Sequence, residues 1–444
     1  MKKVAVWSLL VVNWALVVGF WYWNTAHHPF GNLLLLDVAS RLLAVGRLAG
    51  LLAVTGVLLQ LLLIGRIRWI EQSYGLDRLS RLHHYNAFVV VLLLFSHVVC
   101  LTISYSLQRE VGWGAQIATF FRNWEDLPSA MIAFALFVGL SAMALVIVKR
   151  RLKYECWYGA HLLLYAAILL AFGHQLEGGG DFTENRWLSA YWYALYGFVL
   201  INLLSYRSGL PLFSIWRYRL TVDRVVAETG EVTSIYITGR NLEKLAIHAG
   251  QFMILRFLAR GYWTEAHPFS LSCRPNGNYL RVSIKHLGDF TRRVSQLRPG
   301  TPVIMDGPHG IFTARQCHRD EVLLIAGGIG ITPLRGLAEE FLDAGKDVVL
   351  LYTNRVRAGI ALADELRQLG AAGRWRMHHI LSHDPDWSGE KGYLDAERLQ
   401  RLVPDFRVRE IYLCGPPAMM RQLLKILRVS GVPEKSLHHE RFAL

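Results

Sequence analysis

The sequence is poor in charged residues. Asp, Glu, Lys and Arg make up 18% of its 444 residues, whereas 53% are hydrophobic. A typical soluble domain has about a quarter of its residues charged, so this composition argues against an entirely soluble protein. The shortage of charge lies almost wholly before about residue 206, and the later half has an ordinary composition. We therefore expect a membrane part followed by a soluble part, with two or three domains in all.

Cysteine is also scarce. The five cysteines form no CxxC pair and no regular spacing, which argues against a disulfide framework, a zinc site and a cysteine-ligated iron–sulfur cluster. The soluble half is therefore expected in a reducing compartment. The sequence also lacks an EF-hand pattern, so calcium control is not expected. The net charge of +14 is spread over short loops rather than clustered on one helix face, which disfavours nucleic-acid binding.

Long apolar runs are what the sequence does contain. Six are long enough to cross a bilayer core of roughly 30 Å. They are Val4–Trp23, Leu42–Ile64, His83–Tyr105, Pro128–Val148, Cys156–Gln175 and Trp187–Tyr206. The first follows Met-Lys-Lys, as a signal peptide would. It is longer than a usual signal core, however, and it ends in aromatic residues, so we expect a retained span.

Basic residues occupy alternate loops between these runs. Arg66, Arg68, Arg78 and Arg81 lie in the second loop, and Lys149, Arg150, Arg151 and Lys153 lie in the fourth. The loop after the fifth run, Glu177–Asp181, is acidic. The positive-inside rule then predicts a multi-pass protein of the plasma membrane (the inner membrane of a bacterium), with its N-terminus and its soluble half in the cytoplasm.

Histidines within two of the runs predict metal sites, because an ionisable residue in a span is costly and usually functional. His83 and His97 are 14 residues apart, and His161 and His174 are 13 apart. These gaps correspond to about 21 and 20 Å of helix. Neutral imidazole is a good axial ligand of haem iron. The spacing therefore predicts two b-type haems between two helices, His83 with His161 at the inner surface and His97 with His174 at the outer.

Four points stay open. At about 100° per residue, a 13-residue gap misses the same helix face by about 140°, so the fifth helix must bend, change pitch or use different imidazole directions. His84 is an alternative inner ligand, and ordinary buried histidines are the alternative to haem ligation. Arg47 lies near the outer end of the second span. It either extends its charge to the surface, or pairs with a haem propionate, or attracts an anionic acceptor or oxygen species.

The segment Tyr218–Arg281 alternates as short strands with turn signals, which predicts a small antiparallel β-barrel. It contains His267-Pro-Phe-Ser-Leu-Ser272, in which an aromatic ring can stack on an isoalloxazine and hydroxyls can bind its ribityl–phosphate arm. Downstream, Gly288 and Thr291 at a helix start offer backbone N–H groups to a pyrophosphate. The candidate FAD ligands are His267, Pro268, Phe269, Ser270, Ser272, Lys285, Gly288 and Thr291.

Strands and helices then alternate, as in a Rossmann-like fold. A buried strand, Val322–Ala326, leads into a glycine-rich turn that opens a helix, and the candidate nicotinamide ligands there are Gly327, Gly328, Gly330, Thr332 and Pro333. Arg355 follows the next strand where an acidic residue would bind a ribose hydroxyl, which favours NADPH over NADH. The strand Ile411–Cys414 is followed by Gly415 and Pro416. Cys414 either contacts the nicotinamide or is a small buried residue.

Together these residues resemble the ferric reductase / NADPH oxidase superfamily in its compact bacterial form. The histidine spacings, Trp157–His161, His267–Ser270, Gly327–Pro333 and Cys414–Pro417 are similar to its haem, flavin and nicotinamide motifs. The C-terminal Glu440-Arg-Phe442 is similar to its tail, which implies that Phe442 shields the flavin until nicotinamide displaces it, although Ala443 and Leu444 follow. Leu101 stands where some oxidases carry a further histidine, so the resemblance does not specify superoxide production.

The expected architecture is multidomain and ferredoxin reductase-like in its soluble half. Residues 1–207 form a six-helix transmembrane haem bundle, 214–316 an antiparallel β-barrel that binds FAD, and 317–444 an α/β Rossmann-like nicotinamide domain. The expected activity moves electrons from cytoplasmic NADPH through FAD and two haems to an outer acceptor, either oxygen or a ferric chelate. The alternatives are a reductase that feeds a quinone or a periplasmic partner, and a haem-based redox sensor.

Overall fold

The computed structural model divides the protein into two compact units. One comprises Met1–Ile70 and Arg78–Leu204, and the other comprises Glu71–Asp77 and Ser205–Leu444. The structure describes residues 2–27, 37–123, 127–147, 154–177, 182, 185–370 and 374–441.

The first unit is helical. The described residues up to Leu203 form the helices α1 (Lys2–His27), α2 (Val38–Ile64), α3 (Arg68–Tyr74), α4 (Leu76–Arg109), α5 (Trp113–Asn123), α6 (Leu127–Ile147), α7 (Tyr154–Glu177) and α8 (Arg186–Leu203). Of these residues, Glu71–Asp77 belong to the second unit. Among the described residues, six helical segments are long and apolar enough to cross a membrane. Five lie in α1, α2, α4, α6 and α7, and the sixth, Arg186–Tyr218, contains α8. The predicted six apolar helices are confirmed.

Glycines allow α2 and α4 to approach closely. A Cβ on Gly46 would lie 2.3 Å from Cδ1 of Leu101, and one on Gly56 would lie 2.7 Å from Cγ2 of Val90. Small residues at such positions let helix backbones pack against each other, which is a common basis of helix association in membranes. The α2–α4 contact therefore depends on the absence of side chains along one face of α2.

The second unit begins with helix α9 (Leu210–Tyr218), followed by six antiparallel strands. These are β1 (Thr221–Thr229), β2 (Val232–Thr238), β3 (Phe252–Phe257), β4 (His267–Ser270), β5 (Leu280–Lys285) and β6 (Val303–His309). They form two three-stranded sheets, β1-β2-β5 and β4-β3-β6. Single bridges, Thr221–Pro302 and Leu271–Val282, join the sheet edges. The strand pairing thus consists of two sheets joined by single bridges, and their closure into the predicted barrel stays a prediction. The short helix α10 (Asp289–Arg293) follows β5.

The rest of the second unit is a parallel sheet covered by helices, which confirms the predicted Rossmann-like domain. Its strands are β7 (Glu321–Gly327), β8 (Asp347–Asn354), β9 (Trp375–Leu381), β10 (Glu390–Lys391), β11 (Glu410–Cys414) and β12 (Leu437–Glu440), in the order β10-β9-β8-β7-β11-β12. Its helices are α11 (Ile331–Asp343), α12 (Ala363–Leu369), α13 (Ala396–Leu402) and α14 (Pro417–Val429). The carboxyl ends of β7 and β11 are neighbours, and ligands bind at such an edge in open α/β sheets.

Candidate functional site

Helices α4 and α7 face each other through two histidine pairs. The ring centres of His83 and His161 lie 6.3 Å apart with planes at 69°, and those of His97 and His174 lie 6.3 Å apart at 56°. Helix α7 is an unbroken α-helix. The 13-residue gap therefore needs no change of helix type for both of its histidines to meet a partner.

The ring separation fits two imidazoles on opposite sides of one metal ion. With metal–nitrogen bonds of about 2 Å, the centres of two such rings lie about 6 Å apart. No cluster of three or more His, Cys, Asp or Glu residues capable of holding a metal ion occurs in the described part of the chain. Each histidine pair would supply two nitrogen ligands, which fits an iron whose other ligands would come from a porphyrin.

Helix α2 orients both histidines of α4. Nδ1 of His97 lies 2.8 Å from the carbonyl oxygen of Gly46, and Nδ1 of His83 lies 3.3 Å from that of Gln60. A carbonyl oxygen only accepts, so each neutral ring carries its proton on Nδ1 and keeps the Nε2 lone pair for a metal. Gly46 and Gln60 are 14 residues apart, as His83 and His97 are.

Gly50 makes room for His97. A Cβ at Gly50 would lie 2.6 Å from Nδ1 of His97, closer than real side-chain contacts allow. Gly46 and Gly50 form a Gly-x-x-x-Gly pattern, a known signal of close helix packing in membranes. The pattern is visible in the sequence and indicates close helix packing, although neither glycine is among the predicted site residues.

Aromatic and amide groups surround the histidines of α7. The indole of Trp157 stacks on His161, with ring centres 5.2 Å apart and planes at 22°. Beside His174, the side-chain oxygen of Gln175 accepts hydrogen bonds from Trp192 at 3.0 Å and Tyr196 at 2.9 Å. These contacts tie α7 to α8 next to the His97–His174 pair.

His84 and Arg47 lie outside the two pairs. His84 is exposed, and its ring packs edge-on against Phe88 with centres 5.1 Å apart. Arg47 is half-buried, directly after Gly46 in the chain, and it interacts electrostatically with Tyr105. The predicted cation is thus adjacent to the residue that orients His97.

Four of the predicted flavin ligands share strand β4. The ring of His267 lies 4.1 Å from that of Phe290, and its Nε2 lies 3.2 Å from a carboxylate oxygen of Glu265. Within β4, Pro268 is exposed, Phe269 half-buried and Ser270 buried.

Ser272 differs from its neighbours in β4. It is fully buried, and its hydroxyl lies 3.1 Å from Nε of Arg281 and 2.8 Å from the hydroxyl of Ser283. These protein partners occupy the hydroxyl that the sequence assigns to a ligand. Ser272 therefore stabilises the flavin domain from within.

In the segment after β5, hydrogen bonds within the segment engage a backbone group that was predicted to bind phosphate. The Thr291 hydroxyl accepts the backbone N–H groups of Leu287 and Gly288, both at 2.9 Å. Lys285 forms an ion pair with Glu231 at 3.2 Å and is partly exposed. Of these predicted phosphate ligands, Lys285 therefore provides a positive charge that a phosphate could bind. The backbone N–H of Gly288 is already hydrogen-bonded to Thr291.

The glycine-rich turn after β7 packs tightly against the end of β11. A Cβ on Gly330 would lie 2.3 Å from the carbonyl oxygen of Cys414, and one on Gly327 would lie 2.6 Å from Sδ of Met419. Gly328 differs, since its φ is +52° and a Cβ there would meet nothing within 4 Å. Gly327 and Gly330 thus permit close packing, and Gly328 faces open space in which a phosphate could approach.

The thiol of Cys414 is completely buried, and burial raises its pKa. It is therefore a protonated, buried group, and a contact between Cys414 and the nicotinamide stays a prediction. A Cβ on the next residue, Gly415, would lie 3.0 Å from Cα of Gly327, and Pro416 is exposed.

In α11, the hydroxyl of Thr332 donates to the Ile329 carbonyl oxygen at 3.0 Å. Pro333 is buried in the first turn of that helix.

Arg355 and Glu440 lie at the carboxyl edge of the same sheet. Arg355 is exposed directly after β8. Strand β12 places Glu440 opposite Cys414. Phe442, two residues further on, lies outside the described residues.

Three family models match successive parts of the chain. Residues 49–172 match the ferric reductase like transmembrane component, residues 219–312 an FAD-binding domain, and residues 324–425 the oxidoreductase NAD-binding domain.

Curated relatives are reductases and flavohaemoproteins. The glycine betaine monooxygenase reductase subunit of Chromohalobacter salexigens is 27% identical over 51% of this chain and 64% of its own length. A flavohemoprotein of a Burkholderia species is 30% identical over 50% of this chain and 58% of its own length. This chain thus spans less than two thirds of either relative. A flavohemoprotein of Chromobacterium violaceum is 27% identical over 76% of this chain and 86% of its own length.

Among solved structures, the FAD/NAD-binding domain of a nitric oxide dioxygenase from Vibrio cholerae aligns with a TM-score of 0.46 at 24% identity, covering 50% of this chain and 98% of that one. The three family matches define the architecture. The chain joins a ferric reductase-like transmembrane component to FAD- and NAD-binding oxidoreductase domains, which is the architecture of ferric reductase and NADPH oxidase-like flavocytochromes.

Proposed function

We propose that this protein is a transmembrane oxidoreductase that moves electrons from cytoplasmic NADPH through FAD and two b-type haems to an outer acceptor, either oxygen or a ferric chelate. The observation that carries the proposal is the pair of matched histidine contacts, each with ring centres 6.3 Å apart. When bound, the nicotinamide supplies a hydride, the flavin separates its two electrons, and the haem irons carry one electron each.

The proposed haem ligands are the four paired histidines. His83 and His161 would hold the inner haem, and His97 and His174 the outer one. His83 is preferred to His84 because its ring faces His161, whereas His84 is exposed. The protein would direct Nε2 of His83 and of His97 toward the iron, because the Gln60 and Gly46 carbonyl oxygens accept the Nδ1 protons of these two rings.

In the soluble half, the proposed flavin contacts come from strand β4, and Lys285 would bind the FAD phosphates. The backbone at Gly328, where a Cβ would meet nothing within 4 Å, would approach the phosphates of the nicotinamide dinucleotide, and Arg355 would bind a 2′-phosphate. Cys414 would shape the nicotinamide pocket through its backbone, since its thiol is buried. Phe442 would shield the isoalloxazine ring.

The proposed orientation rests on the distribution of basic residues among the loops, which favours a cytoplasmic N-terminus and soluble half in the plasma membrane. Arg47 then lies near the outer histidine pair. A half-buried cation at that position would attract an anionic acceptor or pair with a haem propionate.

The deciding experiment is an absorbance spectrum of the purified protein under anaerobic conditions, before and after NADPH. We expect reduced b-type haem at two haems per chain, and little or no haem in a variant in which all four histidines are replaced by alanine. A wild-type protein without haem, or full haem reduction in the fourfold variant, would overturn the proposal. Oxygen and a ferric chelate, added separately to the reduced protein, then identify the acceptor. Failure of both to reoxidise it would point to a quinone or a protein partner.

A further inference from the structure

A carboxylate of the nicotinamide domain is bound by a buried cation of the flavin domain. Glu365, on α12, accepts a hydrogen bond of 2.9 Å from Nη2 of Arg281, on β5, and Nη1 of Arg281 contacts its other oxygen. The side chain of Arg281 is only 3% exposed, and that of Glu365 is 29% exposed. A buried guanidinium needs a carboxylate and further acceptors, so this pair is a fixed contact between the two domains.

The flavin-domain side of this contact is rigid. Arg281 also donates to the Ser272 hydroxyl at 3.1 Å and to the Tyr236 hydroxyl at 3.2 Å. Ser272 is two residues beyond the β4 strand that carries the proposed flavin contacts. The guanidinium therefore links Glu365 directly to the end of the flavin motif.

The nicotinamide-domain side leads to the glycine-rich turn. Nε of Arg335, on α11, lies 2.9 Å from Oε2 of Glu365, and α11 begins directly after that turn. A Cβ on Gly336, the next residue of α11, would lie 2.9 Å from the Cys273 carbonyl oxygen. Helix α11 thus packs tightly against the flavin domain beside the Arg281–Glu365 pair.

The ionisation of Glu365 agrees with this arrangement. Burial opposes its charge, but the hydrogen bond and charge of Arg281, with the charge of Arg335, outweigh burial and hold the pKa of Glu365 below its ordinary value. Glu365 is therefore an anion at neutral pH, held between two cations from different domains.

We propose that Glu365 is a positioning residue for hydride transfer, which fixes the distance between the flavin strand β4 and the nicotinamide crevice after β7. This inference rests on the proposed function. Hydride transfer requires reacting atoms about 3–3.5 Å apart, and a displacement of about 1 Å can slow a reaction about 100-fold. A contact that joins the end of the flavin motif to the helix of the glycine-rich turn controls that distance.

The test compares the full-length wild type with Glu365→Gln, Glu365→Asp and a control, Asp364→Asn. The control removes an exposed ion pair with Arg367 on the same helix, with side chains 83% and 69% exposed. The rate of flavin bleaching per bound FAD is measured by anaerobic stopped flow over a range of NADPH concentrations. In Glu365→Gln we expect the maximal rate to fall about 10- to 100-fold while the half-saturating NADPH concentration stays unchanged. Glu365→Asp should recover part of the rate, and the control should match the wild type.

A second readout needs no turnover. Hydrogen exchange of the segments 280–285 and 363–369 should be faster in Glu365→Gln than in the control. The inference would be overturned if Glu365→Gln bleached its flavin at the wild-type rate, or if the hydrogen-exchange rates of both segments were unchanged. If Glu365→Gln does not fold, Arg335→Gln is the second test, because it removes the contact between Glu365 and helix α11 while the Arg281–Glu365 pair keeps the variant folded. We expect slower flavin bleaching in Arg335→Gln, and bleaching at the wild-type rate would contradict the inference. A wild type that neither NADPH nor NADH bleaches would instead contradict the proposed function.

Discussion

The carbonyl oxygen of Gly46 lies 2.8 Å from Nδ1 of His97, a contact between α2 and α4 that sets which nitrogen of the imidazole faces α7. The same relationship recurs 14 residues along α2, between Gln60 and His83 at 3.3 Å. Helix α2 contributes no histidine to either pair, yet its backbone orients one ring in each. The pairs are therefore a property of three helices rather than two.

We expect His97→Ala to lose one of the two proposed haems. Without the His97 imidazole, His174 has no partner ring across α4 and α7, so the outer haem would lose an axial ligand. Bound haem should fall from about two per chain to about one, measured as pyridine haemochrome per mole of protein. His84→Ala is the matched control, since His84 neighbours His83 in the chain but is exposed. Equal haem loss in both variants would contradict the assignment.

Gly50→Ala should displace His97 without removing a ligand. The added methyl group would lie 2.6 Å from Nδ1 of His97, so the ring or the helix must shift, at a cost of about 1–3 kcal/mol. We expect a lower melting temperature and an altered low-spin haem signal in electron paramagnetic resonance, with the other haem unaffected. Gly139→Ala on α6 is the control, because a Cβ there meets nothing within 4 Å. A wild-type spectrum for Gly50→Ala would refute the idea.

The span positions and the histidine pairs could be predicted from the sequence because they depend on local composition and helical rise. The long apolar runs predicted the six helices. The similar gaps of 14 and 13 residues predicted that His83 faces His161 and that His97 faces His174. The contacts of Gly46 and Gln60 could not be predicted in the same way. Both residues act through backbone carbonyl groups, which every residue carries.

Other details depend on residues distant in the chain. Ser272 is assigned to a ligand by its motif, yet Arg281 and Ser283 bind its hydroxyl from another strand. The short strand Leu437–Glu440 was not predicted, because its pairing with β11 is set by the sheet rather than by its own composition. Glu365 could not be identified from the sequence either, because acidic residues are common in the first turn of a helix. Its role becomes visible only through its contact with Arg281.

Arg355→Ala should weaken NADPH use selectively. If the guanidinium binds the 2′-phosphate, its loss removes a charged hydrogen bond of about 1.5–3 kcal/mol, which corresponds to a roughly 10- to 100-fold higher KM for NADPH. The KM for NADH, which lacks that phosphate, should stay unchanged. The control is Arg374→Ala, an exposed arginine that precedes β9 and so lies at the opposite edge of the parallel sheet. If the ratio of the KM values for NADPH and NADH were unaltered, Arg355 would not bind the 2′-phosphate.

Glu440 should make stability fall as pH rises. One carboxyl oxygen of Glu440 is buried. The other packs closely against Gly310, since a Cβ added to Gly310 would lie 3.1 Å from it. The N–H of Gly310 donates to the Glu71 carboxylate at 2.7 Å. Burial, together with the charges of Asp77 and Glu71, raises the pKa of Glu440 well above its ordinary value.

The sign of the effect follows from linkage. A carboxyl group with a higher pKa in the folded state than in the unfolded state binds its proton more tightly when folded. Its stabilising contribution is complete below the ordinary glutamate pKa and is lost as pH rises through the folded value. We expect the melting temperature of the purified protein to decrease with pH across this window, and Glu440→Gln, which mimics the protonated form, to flatten that slope.

Glu434→Gln is a control with the opposite expectation. The hydrogen bond from Arg428 lowers the pKa of Glu434, so any stability it provides is lost as pH falls rather than as pH rises. Its side chain is 65% exposed, which keeps its contribution small. Melting curves of the wild type and both variants, taken over the same pH series, separate the two carboxyl groups. An unchanged slope in Glu440→Gln would mean that another group carries the pH dependence.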